Sequence, residues 1–377
     1  MSYVTFLESD KVTLSETLTV STWTGNLNNL TTAFTGSPSS VEEQLFTSAT
    51  SSANFYLNVF QTQSHDSSGD AIAEAEVQYA VAFGNRIGCG SVDFTNDTGS
   101  MGNNAARCVY SQYHNMIYGD EYNADTSFKF GTHVADSIYV INLNRSRLKH
   151  NLKPGSLNLK VSASIRGGLS HAGTAYNDDH DIFDIELTDD SVTEAGSAEI
   201  TNLGRRFNVV SGANGVRSGS NANQIGGSAS FGHFYPDAGL IILNPDCFGY
   251  GSSTLNEGGL RPQLNESSTT NTDKNTERLF QAISGAQHFI LDSEEDITSQ
   301  YYFARARNNE FNYTNNPTFV TGSGVLKYAS MITNPKTYIT TVGLYNNNLD
   351  LLAVAKLSQP IAKDRTKEAL IRIKLDY

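Results

Sequence analysis

The chain has 377 residues and a formal net charge of −13, and 17% of its residues are charged. This length predicts two or three domains, and the 18 Tyr and 19 Phe exclude a disordered chain. The acidic excess argues against nucleic acid as a partner, because binding phosphate needs clustered Lys and Arg.

Neither a membrane partner nor export is expected from the sequence. No stretch reaches the roughly 20 apolar residues that a spanning helix needs, and the first residues lack a basic region followed by an apolar one. Three widely spaced cysteines, Cys89, Cys108 and Cys247, fit neither a disulfide framework nor a zinc site. We interpret them as free thiols in a reducing cytosol.

Helix signals are few. In residues 39–49, Ser40 and Glu43 form a capping box ahead of apolar residues that share one face. Residues 106–119 place apolar side chains at helical spacing before Gly119, although their aromatic content would also suit a strand. Residues 275–285 predict a third, short helix closed by its final glycine.

Strand signals are more numerous. Apolar and polar residues alternate in 156–164 and 181–190, which is the pattern of strands with one buried face. The remaining segments with a strand pattern are 206–212, 239–246, 287–291 and 299–307.

The end of the chain predicts a hairpin and a last strand. Segments "YITTVGLY" and "LLAVAKL" are joined through Asn346-Asn347-Asn348, and asparagine tolerates the left-handed conformation that tight turns require. After Pro360, residues 369–377 alternate up to Tyr377. The last strand pairs either within its own domain or, as a sheet edge, with a neighbouring chain.

The predicted fold class is mainly β, with multi-domain antiparallel β-sandwich-like modules and a few short helices. Gly- and Asn-rich connectors separate the predicted segments. We expect an N-terminal attachment segment with one short helix at 1–70, a β-rich central domain at 71–260 and a C-terminal β domain at 261–377.

Enzyme motifs are incomplete in the sequence. Ser228 is followed by Ser230 where a nucleophile elbow needs glycine. The glycine-containing stretches 84–90 and 322–327 lack the Gly-Lys-Ser/Thr end of a phosphate-binding loop. We therefore predict no catalytic residues and no cofactor.

Two acidic groups are candidates for an ion site or for acid catalysis. The segment "YNDDHDIFD" concentrates carboxylates that suit Ca²⁺, but it lacks the spacing of a calcium loop, so a solvated acidic turn is the alternative interpretation. The pair Glu294 and Glu295 offers two carboxylates for glycosidase chemistry. The alternative interpretation of this pair is a solvated turn. The side chains of the first group are Asp178, Asp179, His180, Asp181 and Asp184.

Residues 338–361, "YITTVGLYNNNLDLLAVAKLSQPI", followed by "ALIRIKLDY", resemble hairpins of virion proteins of contractile-tailed bacteriophages. Upstream, "AEVQYAVAFGNRIGCGSVDF" and "FYPDAGLIILNP" are similar to structural proteins of T4-like phages of marine cyanobacteria. The resemblance covers most of the chain from about Glu76 to Tyr377, and residues up to about Asp70 match no motif of the family.

The resemblance implies a structural subunit of a contractile tail, most closely a baseplate component without enzymatic activity. It would be made in the host cytoplasm, be located in the virion and form homo- or hetero-oligomers with other tail or baseplate proteins. The alternatives are a receptor- or glycan-binding module associated with a tail fibre, a head-neck structural protein and, least supported by motifs, a depolymerase.

Overall fold

The chain divides by its contacts into two compact units. The larger unit is Thr19–Glu295, and the smaller unit combines Met1–Leu18 with Asp296–Tyr377. The three segments expected from the sequence stay a prediction. The computed structural model describes residues 4–24, 28–30, 41–43, 56–60, 76–90, 105–119, 127–165, 170–171, 174–175, 182–193, 198–218, 230–250, 259–264, 275–313 and 316–376.

Strands dominate the described residues and pair antiparallel wherever their register is defined, so the predicted β-rich, multi-domain fold class is confirmed. The strands are β1 (Lys11–Ser21), β2 (Val41–Glu43), β3 (Tyr56–Phe60), β4 (Val77–Asn85), β5 (Lys129–Phe130), β6 (His133–Val134), β7 (Ser137–Leu143), β8 (Asn151–Leu152), β9 (Asn158–Ala163), β10 (Ser170–His171), β11 (Thr174–Ala175), β12 (Phe183–Asp189), β13 (Glu199–Thr201), β14 (Gly204–Ala213), β15 (Val216–Arg217), β16 (Gly232–Tyr235), β17 (Leu240–Leu243), β18 (Phe289–Ile290), β19 (Asp292–Ala306), β20 (Thr337–Tyr345), β21 (Leu351–Lys363) and β22 (Ala369–Asp376).

The described α-helices are α1 (Ala105–Tyr118), α2 (Asn275–Ala286) and α3 (Ala329–Thr333). The first two confirm the helices predicted in those segments, and the left-handed Gly119 ends α1 as expected. Gly285, however, does not close α2. It lies inside the helix, where a Cβ atom would come within 3.2 Å of the Ser162 side chain, so this glycine serves close packing on β9.

The helix predicted from the capping box at Ser40 and Glu43 was wrong over its described part. Val41–Glu43 form β2, which pairs antiparallel with β3 and places Glu42 opposite Asn58. A capping box is a local signal, and pairing with a strand that is already part of a sheet overrides such local preferences. The rest of residues 39–49 lies outside the described residues.

One large sheet organises the larger unit, in the order β18-β9-β12-β14-β16-β17-β7-β4-β3-β2, with β13 and β15 paired to β14. Successive side chains of a strand point to opposite faces of the sheet, so each face can carry its own apolar layer. In β7, Tyr139 and Ile141 belong to the main core, which includes side chains of α2, whereas Ile138 and Val140 belong to a second cluster under α1.

This sheet curls until strands near its two ends approach each other. Helix α2 contacts β9, second in the order, and also β4 and β3, which are eighth and ninth. Phe289 of β18 meets Tyr79 of β4 with ring centroids 5.3 Å apart. Trp23 packs on Phe289 at 4.8 Å and donates its indole N–H to the Phe289 carbonyl at 2.9 Å. The sole tryptophan therefore closes the seam of the curled sheet.

We predict that Trp23→Ala destabilises the protein by about 3–5 kcal/mol, because it removes a large buried ring from the seam. The variant Trp23→Phe keeps an aromatic ring but loses the indole donor, and it should cost only about 1–2 kcal/mol. Urea unfolding followed by far-UV circular dichroism measures both variants. Equal and small losses would contradict a closing role for Trp23.

The smaller unit contains the sheet order β1-β19-β22 and the separate hairpin β20-β21. Strand β22 confirms the predicted last strand: Ala369, Ile371 and Ile373 are buried while Leu370 is exposed. It pairs with β19 from Ala369 opposite Ala306 to Asp376 opposite Ser299, so the last strand pairs within its own unit. Tyr377 lies outside the described residues.

Candidate interaction surface

The acidic segment proposed for Ca²⁺ falls largely outside the described residues: Asp178, Asp179, His180 and Asp181 are not described. Asp184 is exposed on β12, opposite Ser162 of β9. Among the described residues, no group of three or more His, Cys, Asp and Glu side chains could hold a metal ion.

The carboxylates of Glu294 and Glu295 lie in strand β19, so the solvated turn that we expected there was wrong. Glu294 accepts a hydrogen bond from the Asn151 amide at 2.7 Å and lies 3.7 Å from the Arg205 guanidinium. These contacts connect β8, β14 and β19. The geometry gives Glu294 a structural role within the larger unit.

The glycine-containing loop 84–90 is closed by an internal acceptor. The side-chain oxygen of Asn85 accepts hydrogen bonds from the backbone N–H groups of Ile87, Gly88 and Cys89 at 2.9–3.1 Å. A phosphate-binding loop needs such N–H groups for its ligand. Here the side-chain oxygen of Asn85 occupies the position that a phosphate oxygen would take. The sequence motif alone could not reveal this contact.

The serine of the other candidate motif is also engaged. Ser230 is buried and donates its hydroxyl to the Gly232 carbonyl at 2.9 Å, whereas Ser228 lies outside the described residues. The three cysteines, Cys89, Cys108 and Cys247, form no disulfide with one another. The reducing compartment stays a prediction.

His233 of β16 is a buried titratable group that the sequence did not single out. Neither of its ring nitrogens has a hydrogen-bond partner among the residues that the structure describes. Its ring packs 4.7 Å from that of Phe130 and 6.2 Å from that of Tyr235. Burial lowers the pKa of His233 well below its usual range, and the positive charge of Arg206 lowers it further. The folded protein therefore holds a neutral imidazole at this position.

We predict that this histidine makes the fold sensitive to mild acid. The unfolded chain takes up a proton near pH 6.5 that the folded state does not, so stability is retained above that pH. At lower pH the free energy of unfolding decreases by at most about 1.4 kcal/mol per pH unit. His233→Leu should flatten this part of the pH profile, measured by chemical unfolding between about pH 7.5 and about pH 5.5.

The exposed His150 provides a matched control. His150→Gln should retain the wild-type decrease in stability below about pH 6.5, because it leaves the buried imidazole in place. A decrease of the same size in His233→Leu would contradict the assignment to His233.

Among the described residues, most of the large exposed apolar side chains lie in the smaller unit, although this unit is the shorter of the two. Its cluster of buried residues consists of Leu344, Ile371 and Ile373, with partly buried neighbours. Along β1, Val12, Leu14 and Leu18 are exposed. Such a unit buries little of the apolar surface that its own strands carry.

Five of these exposed apolar side chains lie at the tip of the β20-β21 hairpin. Leu352 is 68% exposed and Val354 is 59% exposed. We call the group Tyr345, Leu349, Leu351, Leu352 and Val354 the hairpin surface. Monomeric proteins rarely leave large contiguous apolar patches open, and such patches mark interaction sites.

The turn of this hairpin differs from the predicted one. The left-handed residue is Leu349, with φ of +69°, and none of the three asparagines has a positive φ. Asn346 instead accepts hydrogen bonds through its side-chain oxygen from the N–H groups of Asn348, at 3.0 Å, and Asp350, at 2.8 Å. A leucine, 58% exposed, thus occupies a strained position at the tip.

We predict that Leu349→Asn stabilises the isolated chain by about 1 kcal/mol, because asparagine adopts the left-handed conformation at lower cost than leucine. Chemical unfolding measures the change. Leu352→Asn is the control, since Leu352 is also exposed but not left-handed, and it should bring no gain. Equal effects of the two variants would show that backbone strain at Leu349 is absent.

No protein-family model, no curated protein and no solved structure matches the chain. Within the described part of the chain, no helix is both long and apolar enough to span a membrane.

Proposed function

We propose that the chain is a structural subunit of a bacteriophage contractile tail, as a baseplate component, and that it acts through protein–protein interfaces. The resemblance of residues 338–361 and 369–377 to virion proteins supplies the kind of particle. The structural support is the exposed apolar surface of the smaller unit.

That surface carries the proposal for a physical reason. Burial of apolar area is the main favourable term in folding and association. The larger unit buries apolar area in two clusters of its own side chains. The smaller unit leaves Leu349, Leu352 and Val354 exposed to solvent. A unit of this kind gains stability when another protein covers it.

The groups that first suggested chemistry support the same proposal. Asn85 fills the glycine-containing loop, Glu294 binds Asn151, and the Ser230 hydroxyl binds a backbone carbonyl. In each case a side chain that could serve catalysis or ligand binding contributes to the fold instead.

Under this proposal the protein is located in the virion, and its partners are other tail or baseplate proteins. A receptor- or glycan-binding module and a head-neck structural protein stay alternatives, distinguished by position in the particle.

Mass spectrometry of purified virions of the phage that encodes the chain tests the proposal. We expect its peptides at a fixed ratio to known tail proteins, and we expect a particle map to place the smaller unit in an interface. Virions without these peptides would refute the proposal. A position in the neck would favour the head-neck alternative.

A further inference from the structure

Positive charge is concentrated in the smaller unit. This unit holds 11 of the 26 Lys and Arg residues of the chain but only 9 of its 39 Asp and Glu residues. The negative excess of the chain therefore lies in the larger unit. A local excess of positive charge attracts anionic partners even when the net charge of the protein is negative.

Six of these basic residues lie where four strands of the smaller unit begin or end. Strand β19 ends opposite the start of β22, where Ala306 pairs with Ala369. Strand β20 begins opposite the end of β21, where Thr337 pairs with Lys363. We call the basic residues at these strand ends the basic end: Arg305, Arg307, Lys336, Lys363, Arg365 and Lys367.

Hydrogen bonds hold the two strand pairs of the basic end together. The Lys363 ammonium donates to the Asn308 carbonyl at 3.3 Å and to the Asn312 side-chain oxygen at 2.9 Å. The Thr337 hydroxyl donates to the Phe311 carbonyl at 2.8 Å. The segment that follows β19 is therefore fixed against the start of β20 and the end of β21, and the basic residues share one region of the unit.

The carboxylates near the basic end balance only part of its positive charge. Glu368 pairs with Arg305 at 2.8 Å, and Asp364 lies 4.0 Å from the Lys367 ammonium. Among the described residues, the carboxylates close to these cations are Asp10, Glu310, Asp364 and Glu368. Because six cations face four carboxylates, the region keeps a positive excess.

Three exposed cations of the basic end form no ion pair with any residue that the structure describes. They are Arg307, Lys336 and Arg365. Their charge nevertheless affects the neighbouring carboxylates. Hydrogen bonds from Thr366 lower the pKa of Asp364, and the charge of Lys336 lowers it further. The positive field thus extends beyond the groups that are already paired.

Lys363 adds a buried charge beneath these exposed groups. Its side chain belongs to a residue that is only 1% exposed, and both of its hydrogen-bond partners are neutral oxygens. Lysine is almost never fully buried unless it is paired. Within the described part of the chain, no carboxylate forms an ion pair with Lys363. An anion outside the basic end would therefore also be attracted by this charge.

We propose that the basic end binds a carboxylate-rich segment of a partner protein. Such a segment supplies the anions that Arg307, Lys336 and Arg365 lack within the described chain, and the charge-assisted hydrogen bonds that form are stronger than neutral ones. Nucleic acid is disfavoured, because the acidic larger unit repels a long polyanion. The inference rests on the proposed function and deepens it, because it names the chemistry of one partner of the tail protein.

Fluorescence anisotropy of a labelled oligoglutamate peptide with the full chain tests the proposal. Binding should weaken as ionic strength rises from about 0.01 M to about 0.15 M, because salt screens exposed charges. The triple variant Arg307→Gln, Lys336→Gln and Arg365→Gln should weaken binding at least about 10-fold at low salt. All three side chains are exposed, so the variant should fold like the wild type, as circular dichroism would verify.

A second triple variant, Lys129→Gln, Lys149→Gln and Lys356→Gln, is the matched control. It removes the same amount of charge from exposed positions outside the basic end, so it should bind the peptide like the wild type. An equal loss of binding in the two triple variants would show that only net charge matters, and it would overturn the proposal.

A wild-type chain that does not bind the peptide at low salt would overturn the proposal, as would tighter binding of a single-stranded oligonucleotide of equal charge. Self-association that the first triple variant abolishes would identify a second copy as the occupant and would also overturn it. The tail assignment is tested separately by the presence of the protein in virions, so either proposal can fail while the other holds.

Discussion

The contact of Trp23 with Phe289 and Tyr79 is the interaction on which the larger unit depends. These residues belong to the N-terminal segment, β18 and β4, which are far apart in sequence and lie at opposite parts of the sheet order. Their contact lets one long sheet enclose its own apolar face together with α2. A flat sheet of this length would need a second layer, whereas the curled one supplies both sides of its core.

The smaller unit, in contrast, leaves many of its apolar side chains exposed. Its hairpin and the strands β19 and β22 share a small cluster around Leu344, Ile371 and Ile373. Most side chains of β1 and β21 face solvent. A small module has a large surface relative to its volume. It can therefore bury only a limited share of its apolar side chains by itself. Leu349 is left-handed and 58% exposed, so it adds backbone strain at the tip of the hairpin. Both features support the proposal that another protein covers this surface.

Polar groups inside the larger unit are mostly used to hold segments together. Asn85 organises a loop that a motif search would compare with nucleotide sites, and Glu294 joins three strands. His233 is one of several buried side chains with a polar atom that has no hydrogen-bond partner among the described residues. Its burial links the stability of the fold to pH, because its environment disfavours the charged form.

The sequence by itself determined the β-rich class, both longer helices and the alternation of β22, because these depend on neighbours along the chain. Only the tertiary structure decided that Val41–Glu43 pair as a strand, that Gly285 allows close packing and that Trp23 closes the sheet. It alone also decided that Leu351, Leu352 and Val354 of "LLAVA" are exposed, since this apolar run equally suits a buried strand. Such outcomes depend on contacts between distant segments, which local periodicity does not contain.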